Sequence, residues 1–151
     1  MWSGDIESTF ESLAHQVKAG LNMAMCGIPW WNTDIGGFYG ADITSDYFKE
    51  LIVRWFQFGL FSPVMRPMFF EYPDDEMCYT LDSQYMFGDD IIFAPIVEQG
   101  QTVKTVYIPD GEWVLTKDKK IYTKGSYEIT ANIDEFIAFV KVGSDVIKCF
   151  E

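Results

Sequence analysis

Phe10, Leu13, Ala14, Val17 and Leu21 recur at three- and four-residue steps, the spacing of an amphipathic helix with one apolar stripe. Ser8-Thr9-Phe10-Glu11 stands before them. A serine followed three positions later by glutamate is a capping box, so a helix is predicted over Ser8–Met23. His15, the only histidine, and Lys18 fall on its polar side, where both are solvated. Residues 24–33, Ala-Met-Cys-Gly-Ile-Pro-Trp-Trp-Asn-Thr, are apolar without alternation, which predicts a strand buried on both faces. Asp34 lies at its C-terminal end. A Gly- and Asp-rich loop runs to about Thr44. The second helix starts near Ser45 and carries Tyr47, Leu51, Trp55 and Phe58 at helical steps, with Lys49 and Arg54 free to reach water. Helix, buried strand, helix is the rhythm of a parallel α/β sheet.

The rhythm changes after Phe61. Pro63–Phe70 is a short apolar run broken by two prolines, and an acidic loop at Asp74-Asp75-Glu76 leads to Gln84–Gly88. From Asp90 the pattern is short strands and turns. Strands are predicted at Ile91–Val97, Val103–Ile108, Trp113–Leu115, Tyr127–Thr130 and Phe136–Val140, with turns at Pro109–Glu112 and Lys117–Lys120. The expected organisation is an α/β region over 1–88 and a small antiparallel β-sandwich over 89–151.

Composition narrows the partners. A net charge of −12 argues against nucleic acid, whose phosphates need a basic face, and is compatible with a neutral ligand such as a carbohydrate. Aromatic residues make up 17% of the chain, which suits a large core or an aromatic-lined pocket. Cys26, Cys78 and Cys149 are odd in number and lack metal-ligand spacing, so they read as reduced, buried thiols, and neither a metal nor a cofactor is expected. Trp2–Asp5 is polar where a signal peptide needs a basic and then an apolar run, and no apolar run reaches a membrane span; a cytoplasmic protein is expected.

Candidate chemistry concentrates at Gly27–Phe38, Gly-Ile-Pro-Trp-Trp-Asn-Thr-Asp-Ile-Gly-Gly-Phe. Trp30, Trp31 and Phe38 offer flat apolar faces of the kind that stack on sugar rings. The Asp34 carboxylate accepts hydrogen bonds from hydroxyls, and Gly36 and Gly37 let the backbone turn sharply beside a ligand. By itself the stretch also fits a core strand ending in a turn. Together with Trp2-Ser3-Gly4-Asp5, Arg54-Trp55, Pro63-Val64-Met65-Arg66-Pro67, Gln84-Tyr85-Met86-Phe87-Gly88-Asp89 and Ile91-Ile92-Phe93-Ala94-Pro95, it closely resembles glycoside hydrolase family 31. These motifs stand in family order along nearly the whole chain. The resemblance implies the C-terminal part of a (β/α)8 TIM barrel followed by a β-sandwich, and a retaining glycosidase acting on α-linked glucosides or xylosides. It implies that Asp5 is the general acid/base and that Trp2, Trp31, Asp34, Phe38 and Arg66 bind the sugar. A carboxylic acid that protonates a leaving oxygen needs a raised pKa, which Trp2 and nearby aromatics would supply by desolvation.

Two departures from the family pattern bear on activity. A retaining glycosidase needs a second carboxylate about 5–5.5 Å from the first. The family carries it in a stretch like Lys-x-Asp-x-Gly-Glu, and none stands ahead of Trp2, so the isolated chain is expected to be inactive. Secondly, the family separates Phe-x-Pro-x-x-Arg-x-His from Pro-Val-Met-Arg-Pro by several dozen residues. Here the two merge at Phe61–Phe70, as an internal deletion would leave them, and Met68 falls where the pocket histidine belongs; Arg66 matches either motif. About 88 residues of barrel-like sequence cannot close a barrel of roughly 250. A separately encoded N-terminal barrel portion completing a split enzyme, or a non-catalytic carbohydrate-binding module, are therefore the alternatives.

Overall fold

The computed structural model describes residues 1–151. Helix α1 spans Phe10–Met25 and α2 spans Asp46–Leu60. The N-cap of α1 is Thr9, one residue later than the capping box places it; its hydroxyl accepts from the Ser12 amide at 3.0 Å. Ser8 is buried instead, and its amide donates to the Tyr39 carbonyl at 2.8 Å. In α2 the predicted Ser45 does cap, accepting from the Phe48 amide.

The buried strand expected at 24–33 is not formed. Helix α1 takes its first two residues, and Gly27 then turns the chain at φ +80°, the left-handed stop that glycine supplies at a helix C-terminus. What survives is pairing at single residues: Asn32 bridges Trp2 in parallel and Trp30 bridges Pro63 antiparallel. Trp30 is 68% exposed and Trp31 7%. Parallel pairing is confined to Trp2–Asn32 and Glu7–Tyr39.

The main sheet is antiparallel. It joins β1 (Met65–Arg66), β2 (Tyr85–Phe87), β3 (Ile91–Phe93), β5 (Trp113–Leu115), β6 (Ile121–Tyr122) and β8 (Ala138–Lys141) in the order β1-β2-β3-β8-β5-β6. β4 (Val103–Ile108) and β7 (Gly125–Thr130) form a separate two-stranded ribbon. β3 stops short of the predicted Val97 because Pro95 has no N–H to continue the ladder. β6 carries no apolar run that would predict it. The sheet is continuous across residue 88, through the β2–β3 pairing.

Strand alternation sends side chains to two cores. Tyr85, Ile91, Phe93, Ala138 and Val140 join Leu13, Val17, Leu51, Trp55 and Phe58 of the helices. Met86, Ile92 and Phe139 face the other way and pack with Val106, Trp113 and Ile129 against the ribbon. The molecule thus has three layers, with helices and ribbon covering opposite faces of one sheet. Gly20 sits where α1 approaches closest: a β-carbon there would lie 2.7 Å from Met65 Sδ and 2.8 Å from Trp31 Cδ1.

Arg54 corrects the sequence expectation most sharply, since it is 2% exposed rather than solvated. Its guanidinium donates to the carbonyls of Asn132 (3.1 Å) and Glu135 (3.2 Å) and to Gln57 Oε1 (3.0 Å), tying α2 to the loop before β8. Cys26 and Cys149 are exposed rather than buried, and Cys78 alone lies in the core. No helix is long and apolar enough to cross a membrane.

Candidate active site

Two turns come together at one end of the paired segments. The first carries Trp2 and Asp5; the second carries Asp34, Gly36, Gly37 and Phe38. The Ser3 amide donates to the Asn32 carbonyl (3.2 Å) and the Asn32 amide to the Met1 carbonyl (3.1 Å). Further on, the Phe38 amide donates to the Ile6 carbonyl at 2.8 Å. Ser3 and Thr33 share a hydroxyl–hydroxyl bond of 3.2 Å. Gly37, at φ +82°, lies so close to the first segment that a β-carbon would sit 2.8 Å from Ser8 Cα. The double glycine therefore serves close approach of backbone to backbone.

Across this junction the Trp2 indole N–H donates to Asp34 Oδ1 at 3.3 Å. Trp2, Phe38 and Tyr39 are 53%, 61% and 55% exposed, far more than aromatic side chains of a settled interior. Asp5 is also exposed, and Asp34 is half-buried. Trp2 and Asp34 thus form an open hydrogen-bonded pair across the junction, with Asp5 and Phe38 exposed on the two turns that carry them. The second oxygen of Asp34 and both of Asp5 have capacity to accept hydroxyl protons. No group of three or more His, Cys, Asp or Glu is placed to hold a metal ion.

The remaining sequence candidates lie elsewhere. Trp31, expected in the pocket wall, is a core residue packed against α1 and Met65. Adjacent residues of an extended segment point to opposite sides, and the Trp-Trp pair alone does not say which points out; Trp30 does. Arg66 pairs with Glu71 and with Asp89 (3.0 Å) and makes no hydrogen bond to the Trp2–Asp34 pair. Met68, at the family's histidine position, is fully buried in the ribbon-side core. Tyr39, exposed beside Phe38, carries no sequence signal; its carbonyl accepts from the Ser8 amide at 2.8 Å.

The model of the Glycosyl hydrolases family 31 TIM-barrel domain matches residues 1–86, more than half of the chain. This chain belongs to glycosyl hydrolase family 31. The model of the family 31 C-terminal domain matches residues 61–146. Residues 1–60 thus match the barrel model alone, 61–86 match both models, and 87–146 match the C-terminal domain alone. A solved family 31 α-xylosidase from a soil metagenome, complexed with xylose, superposes with a TM-score of 0.93 at 30% identity, over 99% of this chain and 33% of that one. The isomaltosyltransferase of Sporosarcina globispora is 29% identical over 203 aligned positions, covering 95% of this chain and 19% of that protein. The α-xylosidase of Saccharolobus solfataricus is 26% identical, covering 95% of this chain and 27% of its own length. The chain thus spans about a third or less of these relatives.

The alignment with the isomaltosyltransferase is longer than this chain. Ninety-five per cent of 151 residues is about 143, so about 60 of the 203 positions aligned with the isomaltosyltransferase have no counterpart here. The two domain models overlap on residues 61–86, the stretch in which the two sequence motifs merge. Val64 at that junction adopts φ +67°, a left-handed conformation that a β-branched residue takes only under strain.

Proposed function

We propose that this chain supplies the acid/base side of the active site of a retaining α-glycosidase acting on α-linked glucosides or xylosides. Asp5 protonates the glycosidic oxygen as it leaves and later removes a proton from the attacking water. Asp34 accepts hydrogen bonds from sugar hydroxyls. Trp2 holds Asp34 through its indole N–H and presents its ring to the sugar, and Phe38 offers a second apolar face. The nucleophilic carboxylate comes from residues outside these 151, in a barrel portion that completes the pocket; residues 1–88 form the pocket-bearing part and 89–151 its support. The observation carrying this reading is the 3.3 Å Trp2–Asp34 bond, which joins the two turns that hold Asp5 and Asp34.

The test is hydrolysis of aryl α-glucosides and α-xylosides. The pure chain is expected to show no turnover, since loss of a catalytic nucleophile costs several orders of magnitude. Turnover by the pure chain that disappears in Asp5→Asn would overturn the assignment of the nucleophile to other residues. A binding-only role is favoured by one observation, the exposure of the aromatic side chains Trp2, Trp30, Phe38 and Tyr39. Calorimetric titration with malto-oligosaccharides checks it, and no heat at millimolar sugar sinks it.

A further inference from the structure

A groove of about 320 Å³ lies between α1 and the loop that joins β1 to β2, and none of its lining residues belongs to the Trp2–Asp34 pair. Its size falls at the lower end of the roughly 300–1,000 Å³ that small-ligand sites occupy. Lys18, Asn22 and Met25 enter it from α1 at helical steps, on one face. Phe69, Tyr79 and Asp82 close it from the loop. The Tyr79 ring is stacked on Phe69, with centroids 4.8 Å apart and 9° between the planes. Its hydroxyl donates to the Pro73 carbonyl at 3.0 Å. Two restraints fix the ring, yet Tyr79 is 58% exposed. A large ring locked in place and left in water offers contact area at little cost in conformational entropy.

The polar edge of the groove carries both signs of charge. Lys18 Nζ lies 2.8 Å from Asp82 Oδ2, which leaves Asp82 Oδ1 to accept and two ammonium protons to donate. The Asn22 side-chain amide donates to the Lys18 carbonyl at 3.0 Å, so its Oδ1 is a further acceptor. An anion would meet Asp82 and a chain of net charge −12, and a cation would meet Lys18. The ligand that suits every group is uncharged, apolar on one flat side, and edged with hydroxyls that both donate and accept. A pyranose ring has that form. We propose that this groove is a second, non-catalytic sugar-binding site, in which Tyr79 stacks on a pyranose ring while Asp82, Lys18 and Asn22 bond its hydroxyls. The choice of an α-linked glucan as its ligand rests on the function proposed above. The site uses neither Asp5 nor Asp34, so it retains an oligosaccharide without catalysis.

The experiment is an amide-resolved NMR titration of the intact chain with maltotriose, which reads this groove and the Asp34 turn separately. Saturable shifts are expected at the amides of Asn22, Tyr79, Leu81 and Asp82, with a Kd of about 1–10 mM, as one stacked face and a few exposed hydrogen bonds supply. Tyr79→Ala and Asp82→Ala each weaken this binding at least about fivefold, and Asp34→Asn leaves it unchanged. Asp82→Ala removes one side of an exposed ion pair and keeps the fold, so a loss in that variant reports on the groove itself. Sorbitol, which has the hydroxyls without the ring face, shifts none of these amides. No saturable shift in the groove at about 50 mM maltotriose overturns the proposal; a response at the Asp34 turn alone does so while leaving the first site standing. Equal shifts with sorbitol overturn it too, as does binding undiminished in Tyr79→Ala.

Discussion

Arg54→Met tests how the helical layer is fastened to the β layers. The guanidinium is 2% exposed and gives charge-assisted bonds to the Asn132 and Glu135 carbonyls at 3.1 and 3.2 Å. Bonds to a charged donor contribute about 1.5–3 kcal/mol each when loss leaves an acceptor bare. Neither acceptor is left bare here. The Glu135 amide still donates to Asn132 O at 3.1 Å, and Gln57 Nε2 still donates to Glu135 O at 3.1 Å. Against the bonds stands the desolvation of a buried charge, which lowers the Arg54 pKa and which methionine relieves. Low-end bond losses for two contacts, less that relief, leave a destabilisation of about 2 kcal/mol. With a urea m-value of about 2 kcal/mol per M, the unfolding midpoint falls by about 1 M. Arg54→Lys is expected to lose at least as much, because the charge stays buried while the planar fork that reaches two carbonyls is gone. A methionine variant that unfolds at the wild-type urea concentration, or a lysine variant more stable than methionine, refutes the clamp.

Lys104 is buried, donates to the Pro95 carbonyl at 2.8 Å, and burial pushes its pKa down to about 8. Between pH 8 and the ordinary lysine value the unfolded chain binds more protons, so Lys104 makes stability rise with pH by about 3 kcal/mol across that window. Subtracting the profile of Lys104→Met isolates this rise from the opposing effect of Cys78, whose thiol burial pushes up to about 11; identical slopes in the two proteins would show that the amine does not titrate there. On the acid side, the Tyr107 hydroxyl bonds Asp75 at 2.7 Å and, with Lys124, holds that carboxyl below its usual range. That stability is present above the ordinary Asp value near 4 and is lost as pH falls through the lower folded value, so Tyr107→Phe is expected to shrink the acid-side fall in thermal midpoint. Val64→Gly removes about 1–2 kcal/mol of left-handed strain against about 0.5–1 kcal/mol of glycine entropy. Since Val64 is 38% exposed, its lost burial of about 1 kcal/mol offsets most of that gain, and the urea midpoint should stay within about 0.5 M of wild type; a fall of about 1 M or more would show that no strain is relieved.

Periodic features were legible in the sequence and aperiodic ones were not. The stripe Phe10–Leu21 and the steps Tyr47–Phe58 mark both helices to within two residues, because their burial follows the 3.6-residue period. The strands from Ile91 onward show by alternation and turn residues. Residues 24–33 mislead because an unalternating apolar run does not distinguish a strand from the end of a helix followed by a turn, and Gly27 decides for the turn. Arg54 misleads for a related reason: composition marks arginine as exposed, but its acceptors are backbone carbonyls 78 and 81 residues away, which no local pattern encodes. At the site, motif order brings forward Trp2, Asp5, Asp34 and Phe38, while the choice between Trp30 and Trp31 needs the phase of an extended segment that the sequence does not set.

Part of a barrel alone ought to leave α1 and α2 without a core, yet Leu13, Leu51, Trp55 and Phe58 are fully buried. Their partners explain this. The helix-side core takes Tyr85, Ile91, Phe93, Ala138 and Val140 from the antiparallel sheet, so the helices rest on a sheet built within this chain. The same sheet is covered on its far side by the ribbon, and its stability does not depend on closing a barrel. What the sheet cannot supply is cover for the outward face of α2, where Phe56 and Leu60 stay in water, or the far side of the Trp2–Asp34 pair. Both deficits face away from the retained core. Folding and completion of the site are therefore separable in this chain: substitutions at Trp55 or Phe58 should unfold it, at about 3–5 kcal/mol for truncation to alanine, whereas Asp34→Asn should leave its urea midpoint in place and alter only sugar binding.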